Sequence, residues 1–165
     1  MYFADLSTYT FLKESGAPIS ADIPNALNIG WLDGYHPYPQ AEPSQEFVAC
    51  LWAFCRTPIL TTLGFHECTF CNDNPKTYLV IEKDGEKVGF GHAEIWIFGP
   101  EGKTYAAPTL IYHYVARHHY APPDEFIQAV LTGPLPDTPE YDQRAGQFNW
   151  GKRMLRQTRF LRSQQ

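Results

Sequence analysis

The sequence predicts an α+β domain: a small antiparallel sheet of hairpins flanked by helices and carrying a Cys-x-x-Cys zinc knuckle. Three observations predict it. β-favouring runs punctuated by turn residues fill the middle of the chain, and proline-led apolar segments at helical spacing stand on either side of them. Between them, His66-Glu67-Cys68-Thr69-Phe70-Cys71 gathers one imidazole and two thiols within a few positions.

Residues 1–42 read as irregular, with short strands at Tyr2–Leu6 and Asn28–Leu32 and a Gly- and Pro-rich loop at 33–39. A helix then starts after Ser44, whose hydroxyl suits the N-cap, with Glu46 in the first turn favouring the helix dipole. Phe47, Leu51, Phe54 and Cys55 fall on one face, and Thr57-Pro58 closes the helix because a residue before proline is pushed out of helical geometry. Cys50 and Cys55 lie about 140° apart around it and read as core filling.

Tyr78–Ile81 and Val88–Phe90 pair across the turn Lys83-Asp84-Gly85-Glu86. Ala93–Phe98 alternates as a further strand, Gly99–Gly102 is its turn, and Tyr105–Ala107 returns. Pro108 reads as a helix start, with Leu110, Tyr114, Val115 and His118 on one face. A second helix runs from Pro122-Pro123-Asp124-Glu125 to Gly133-Pro134, and a linker covers Pro134 to Pro139. The expected organisation is one zinc-binding domain over 1–137 and a basic C-terminal tail over 138–165, helical between Tyr141 and Leu161.

The formal charge of −5 argues against wholesale binding to nucleic acid or an anionic membrane. It is uneven. Arg144, Lys152, Arg153, Arg156, Arg159 and Arg162 stand in a tail without Asp or Glu, which leaves the preceding residues at −11. Residues 144–162 are therefore the one candidate surface for nucleic acid. Packing against protein is the expected fate of the tail, through Phe148, Trp150 and Phe160 more than through the arginines, because exposed ion pairs are weak. No stretch approaches a membrane span and the start lacks a signal peptide's basic and apolar regions, so the cytoplasm is the expected compartment and metal binding or burial the expected use of four cysteines.

A Cys-x-x-Cys turn folds the backbone so that two thiolates face one ion, and zinc favours such ligands in tetrahedral array. Asn72 tolerates the positive φ that usually follows the second cysteine. The expected site is one zinc per chain on His66, Cys68, Cys71 and His113, with His118 in reserve. In a regular helix the five-residue offset turns His118 about 140° from His113.

His92-Ala93-Glu94 together with a cysteine pair brings the zinc deaminases to mind, in which a histidine and two cysteines hold zinc while a glutamate moves protons. Here the order is reversed, and Ala93–Phe98 reads as a strand where that signature wants a helix start. A strand does put His92 and Glu94 on one face. No other catalytic template is present.

The tracts Gly64–Cys71, Ala93-Glu94-Ile95, Tyr105–Tyr114 through Pro122-Pro123-Asp124-Glu125-Phe126, and Asn28–Leu32 resemble a family of uncharacterised bacterial proteins, a domain of unknown function. The resemblance runs to about Asp137 and implies a small cytoplasmic bacterial protein with a His-x-Cys-x-x-Cys element and no established activity. The expected function is a protein-interaction or regulatory module stabilised by structural zinc, and the question of enzymatic activity stays open. The alternative is a zinc-dependent hydrolase or deaminase-like enzyme using His92 and Glu94 near the metal. Four protein ligands would mark the first, three and a water the second.

Overall fold

The computed structural model describes residues 1–14, 25–61, 64–71 and 79–148. A short α1 (Phe11–Glu14) precedes β1 (Ala26–Asn28), α2 (Gln45–Cys55), β2 (Leu60–Thr61), β3 (Leu79–Lys83) and β4 (Glu86–Phe90). Then come β5 (Ala93–Phe98), a 3-10 turn at Pro100–Gly102, β6 (Thr104–Pro108), α3 (Ile111–His118), α4 (Asp124–Thr132) and α5 (Pro139–Ala145). The class is α+β. No helix among the described residues is long and apolar enough to cross a membrane.

The local signals are met where the chemistry is local. Ser44 Oγ accepts from the Phe47 amide at 3.2 Å, capping α2. Asp84 and Gly85 both take positive φ, the twist that joins β3 to β4 in a two-residue hairpin.

The main sheet departs from an all-antiparallel expectation. Its order is β1-β6-β5-β2, with β1 and β6 parallel and the other pairs antiparallel. Ala26–Asn28 is the strand that enters this sheet, whereas Tyr2–Leu6 contributes only the single bridge of Phe3 with Trp31. Strand β6 runs on through Pro108, so the following helix opens three residues later, at Ile111. Strand β5 is buried along its whole length. A strand covered on both faces reads as continuous apolar sequence, and Trp96 is enclosed by Tyr9 and Phe148 while α2 and α4 pack on the same strand.

Two polar ties hold the N-terminal stretch. Asp5 accepts from the Gly30 amide at 2.9 Å through Oδ1 and from the Tyr120 hydroxyl at 2.7 Å through Oδ2. The Trp31 indole N–H donates to the Ala106 carbonyl at 3.1 Å.

At the other end, α5 packs on the body. Tyr141 is buried, donates to the Trp96 carbonyl at 2.9 Å and meets the rings of Phe54 and Phe98. Phe148 lies against Trp96 and Phe98, and Arg144 donates to the Gly99 carbonyl at 2.9 Å. Trp150, Phe160 and the basic positions from Lys152 to Arg162 lie outside the described residues, as do Asn72 and Tyr78.

Candidate metal centre

Two segments that meet side by side build the site. The loop 64–71 carries Cys68 and Cys71, and α3 carries His113 and His118. The loop is held by its backbone: the His66 amide donates to the Gly91 carbonyl at 2.7 Å. Gly91 in turn donates to Thr109 Oγ1 at 3.2 Å, and Thr109 sits just ahead of α3. The loop is thereby tied to the start of the helix that faces it. Phe70, between the cysteines, packs on Tyr38, Tyr114 and the His118 ring.

Within this frame Cys68 Sγ, Cys71 Sγ and one ring nitrogen each of His113 and His118 lie within 4.8 Å of one another. Cys71 Sγ is 3.2 Å from His113 Nε2 and 3.4 Å from His118 Nε2. Cys68 Sγ is 3.2 Å from His118 Nε2, and the two Nε2 atoms are 3.1 Å apart. Zinc bonds of about 2.3 Å to sulfur and 2.0–2.1 Å to nitrogen give a tetrahedron with edges of roughly 3.3–3.8 Å. Two thiols and two imidazoles at nearly those edges could hold a metal ion.

The ionisation states suit that use. Burial draws His113 down to about 4, helped by His118 and Arg117, so its ring is neutral and offers a lone pair. Burial likewise lowers His118, with Arg117 and His119 adding to it. Burial pushes the Cys68 thiol up to about 11, against the pull of the Phe70 amide on its sulfur. A bound cation reverses the thiol's preference, since a coordinating thiol is deprotonated outright.

The geometry differs from the expected ligand set at one position. His66 lies outside the group. Its amide is committed to Gly91 and its side chain is exposed, and two residues before the first cysteine the chain has not yet turned toward α3. His118 stands in its place. His118 is the last residue of α3; beyond it His119 takes left-handed φ of 55°, and the amides of both His119 and Tyr120 go to the Tyr114 carbonyl. Although a regular helix turns the two positions about 140° apart, the His118 ring nitrogen comes within 3.1 Å of that of His113, with Phe70 packed on the His118 ring. The sequence marks His118 only by its spacing from His113.

His92 and Glu94 are elsewhere. The His92 ring lies 5.6 Å from that of Phe65, and neither residue belongs to the ligand group among those described. Glu94 is buried in the core, where its Oε2 accepts from the Tyr9 hydroxyl at 2.7 Å. Cys55 is also buried, and its thiol donates to the Thr109 carbonyl at 3.6 Å, so it fills the core as expected.

The buried carboxyl has a measurable consequence. Burial pushes Glu94 up to about 7, against the hydrogen bonds from Tyr9 and Trp96. Its folded value lies above its unfolded value of 4.5. Its contribution to stability is therefore complete below that unfolded value and is lost as pH rises toward about 7. Glu94→Gln is expected to flatten this stretch of the stability-against-pH curve by about 3 kcal/mol, read by urea denaturation at pH 4.5, 6 and 8. A variant that keeps the wild-type slope would assign the slope to other groups.

The family described as "Domain of unknown function (DUF7919)" matches residues 1–131. Neither a curated protein nor a solved structure matches the chain.

Proposed function

Because the chain belongs to the DUF7919 family, a domain of unknown function that brings no activity with it, we propose from the site alone that it is a protein-interaction or regulatory module stabilised by one structural zinc ion. Cys68, Cys71, His113 and His118 are the proposed ligands. The observation that carries this is the convergence of four ligand atoms, two sulfur and two nitrogen, on one point. Four protein ligands complete a tetrahedral shell, and a closed shell leaves no position for an activated water. The proton shuttle of the enzymatic alternative, Glu94, is engaged with Tyr9 in the core. The interaction role draws support from the surface that the centre would hold in place. Gly34 lies against Thr69 of the metal loop, and beside them Tyr35 is 93% exposed and Phe65 61% exposed.

Purified protein never exposed to chelator is expected to contain about one zinc per chain, with two sulfur and two nitrogen neighbours in X-ray absorption. Absence of any transition metal would overturn the metal reading. A metal with three protein ligands and a water would instead favour hydrolytic chemistry.

A further inference from the structure

The two cysteines of the metal centre are not equally enclosed. Cys68 is buried and Cys71 half-buried, and His118 beside Cys71 is half-buried as well. Cys71 Sγ is therefore the sulfur that a small molecule in solution reaches first. The two Sγ atoms lie within 4.8 Å of each other, and both belong to one loop with only Thr69 and Phe70 between them. A disulfide of about 2.05 Å between them asks for side-chain rotation and local movement of that loop, not of the sheet or of α3. One such bond would consume both sulfur ligands together. His113 and His118 would remain, and two imidazoles make only half of a structural zinc shell. The loop also has ties that involve no metal: the His66 amide to the Gly91 carbonyl at 2.7 Å, and Phe70 against Tyr38 and Tyr114. They keep the sulfurs opposite the histidines after the ion has gone. Of the other two cysteines, Cys55 is buried and donates to the Thr109 carbonyl, and Cys50 stands outside the ligand group.

We propose that the centre is a reversible redox switch, in which hydrogen peroxide converts Cys68 and Cys71 into a disulfide and so releases the zinc of the reading above, on which this rests. The Cys71 thiolate attacks one peroxide oxygen and the O–O bond breaks. Cys71 becomes a sulfenic acid, and the other oxygen leaves as hydroxide. The Cys68 sulfur, a thiolate for as long as it is a ligand, then attacks Cys71 Sγ. An S–S bond forms, the S–O bond breaks and a second hydroxide leaves. Two electrons pass from the two sulfurs to the peroxide, solvent protons convert both hydroxides to water, and the zinc departs as the aqua ion. A phosphine or dithiol reductant restores the two thiols, and the ion rebinds. Thr69, against which Gly34 lies, sits between the cysteines, so the change at the loop reaches the exposed Tyr35 next to Gly34.

The test uses full-length protein as purified, with its zinc content measured first, alongside Cys50→Ser, which removes a competing half-buried thiol. Hydrogen peroxide is added in excess, and zinc release is read with a chromogenic chelator against a peroxide-free control. Free thiols are then alkylated, and the tryptic peptide 57–76, which holds Cys68 and Cys71 and no other cysteine, is weighed by mass spectrometry. In both proteins about one zinc per chain is expected to leave, with the peptide unalkylated and about 2 Da lighter than its reduced form. A phosphine reductant followed by zinc should restore the metal content. Zinc retained under peroxide, with both thiols alkylated, would overturn the switch and leave the metal reading standing. Release with a sulfinic acid, about 32 Da heavier, in place of the disulfide would also overturn it, as would release without recovery on reduction. Protein that holds no zinc at the start would remove the metal reading and the release step with it.

Discussion

Cys68→Ser is expected to lose the metal and to lower thermal stability by about 10 °C. An ion that binds only the folded state stabilises it by an amount set by its concentration relative to Kd, about 4 kcal/mol at a thousand-fold excess. In a chain of this length each kcal/mol is about 2–4 °C. The loss is bounded because the rest of the fold has its own core, in which Phe47, Leu51, Trp96, Tyr105 and Phe126 are almost completely buried. What loosens is the joint between the loop 64–71 and the end of α3. A chelator should reproduce the shift in wild-type protein and add nothing to the variant. Cys50→Ser, which alters a cysteine outside the ligand group, should keep both metal and melting temperature. A Cys68→Ser protein that melts with the wild type would remove the structural role of the centre.

Gly91→Ala is expected to be nearly as damaging, although the residue ligates nothing. Its φ is +91°, and a Cβ there would stand 2.2 Å from the His66 carbonyl oxygen. The obstacle is backbone, so no rotamer change relieves it. Either Gly91 or the metal loop must move, and the hydrogen bond between them goes with the movement. Strain at such a φ together with overpacking costs on the order of 3 kcal/mol, and displacement of the loop should lower metal affinity too. His66→Ala is the matched comparison. It leaves the backbone contact in place and should retain the metal, which separates the role of His66 as a brace from that of a ligand. Calorimetric melting and metal content on both variants decide this. Retention of full stability by Gly91→Ala, or loss of metal from His66→Ala, would contradict it.

How much of this was legible from the residues depended on the range over which each decision is made. The cap at Ser44 and the turn at Asp84-Gly85 are settled within four positions, and both follow from side-chain and φ preferences. Cys68 and Cys71 were legible for the same reason. The choice between His66 and His118 was not, because it rests on how α3 terminates and on the reach of the loop across to it. The parallel partnership of Ala26–Asn28 with Thr104–Ala106 was equally hidden, since neither strand carries a mark of the other. The unbroken burial of β5 likewise reflects its neighbours rather than its own alternating pattern.

The ties that fasten the N-terminal stretch bear on how the chain comes together in time. Asp5 and Tyr120 are separated by 115 positions, and Trp31 relies on Ala106 at a separation of 75. During vectorial synthesis the first thirty or so residues would therefore emerge with their apolar groups, Ile29 and Trp31 among them, waiting for partners not yet made. Contacts this remote in sequence raise contact order and slow the final association. The hairpin of β3 and β4, which closes across a two-residue turn, is free to form ahead of it. The N-terminal third thus cannot complete its packing before Tyr120 has left the ribosome, and until then it depends on whatever shields a nascent chain.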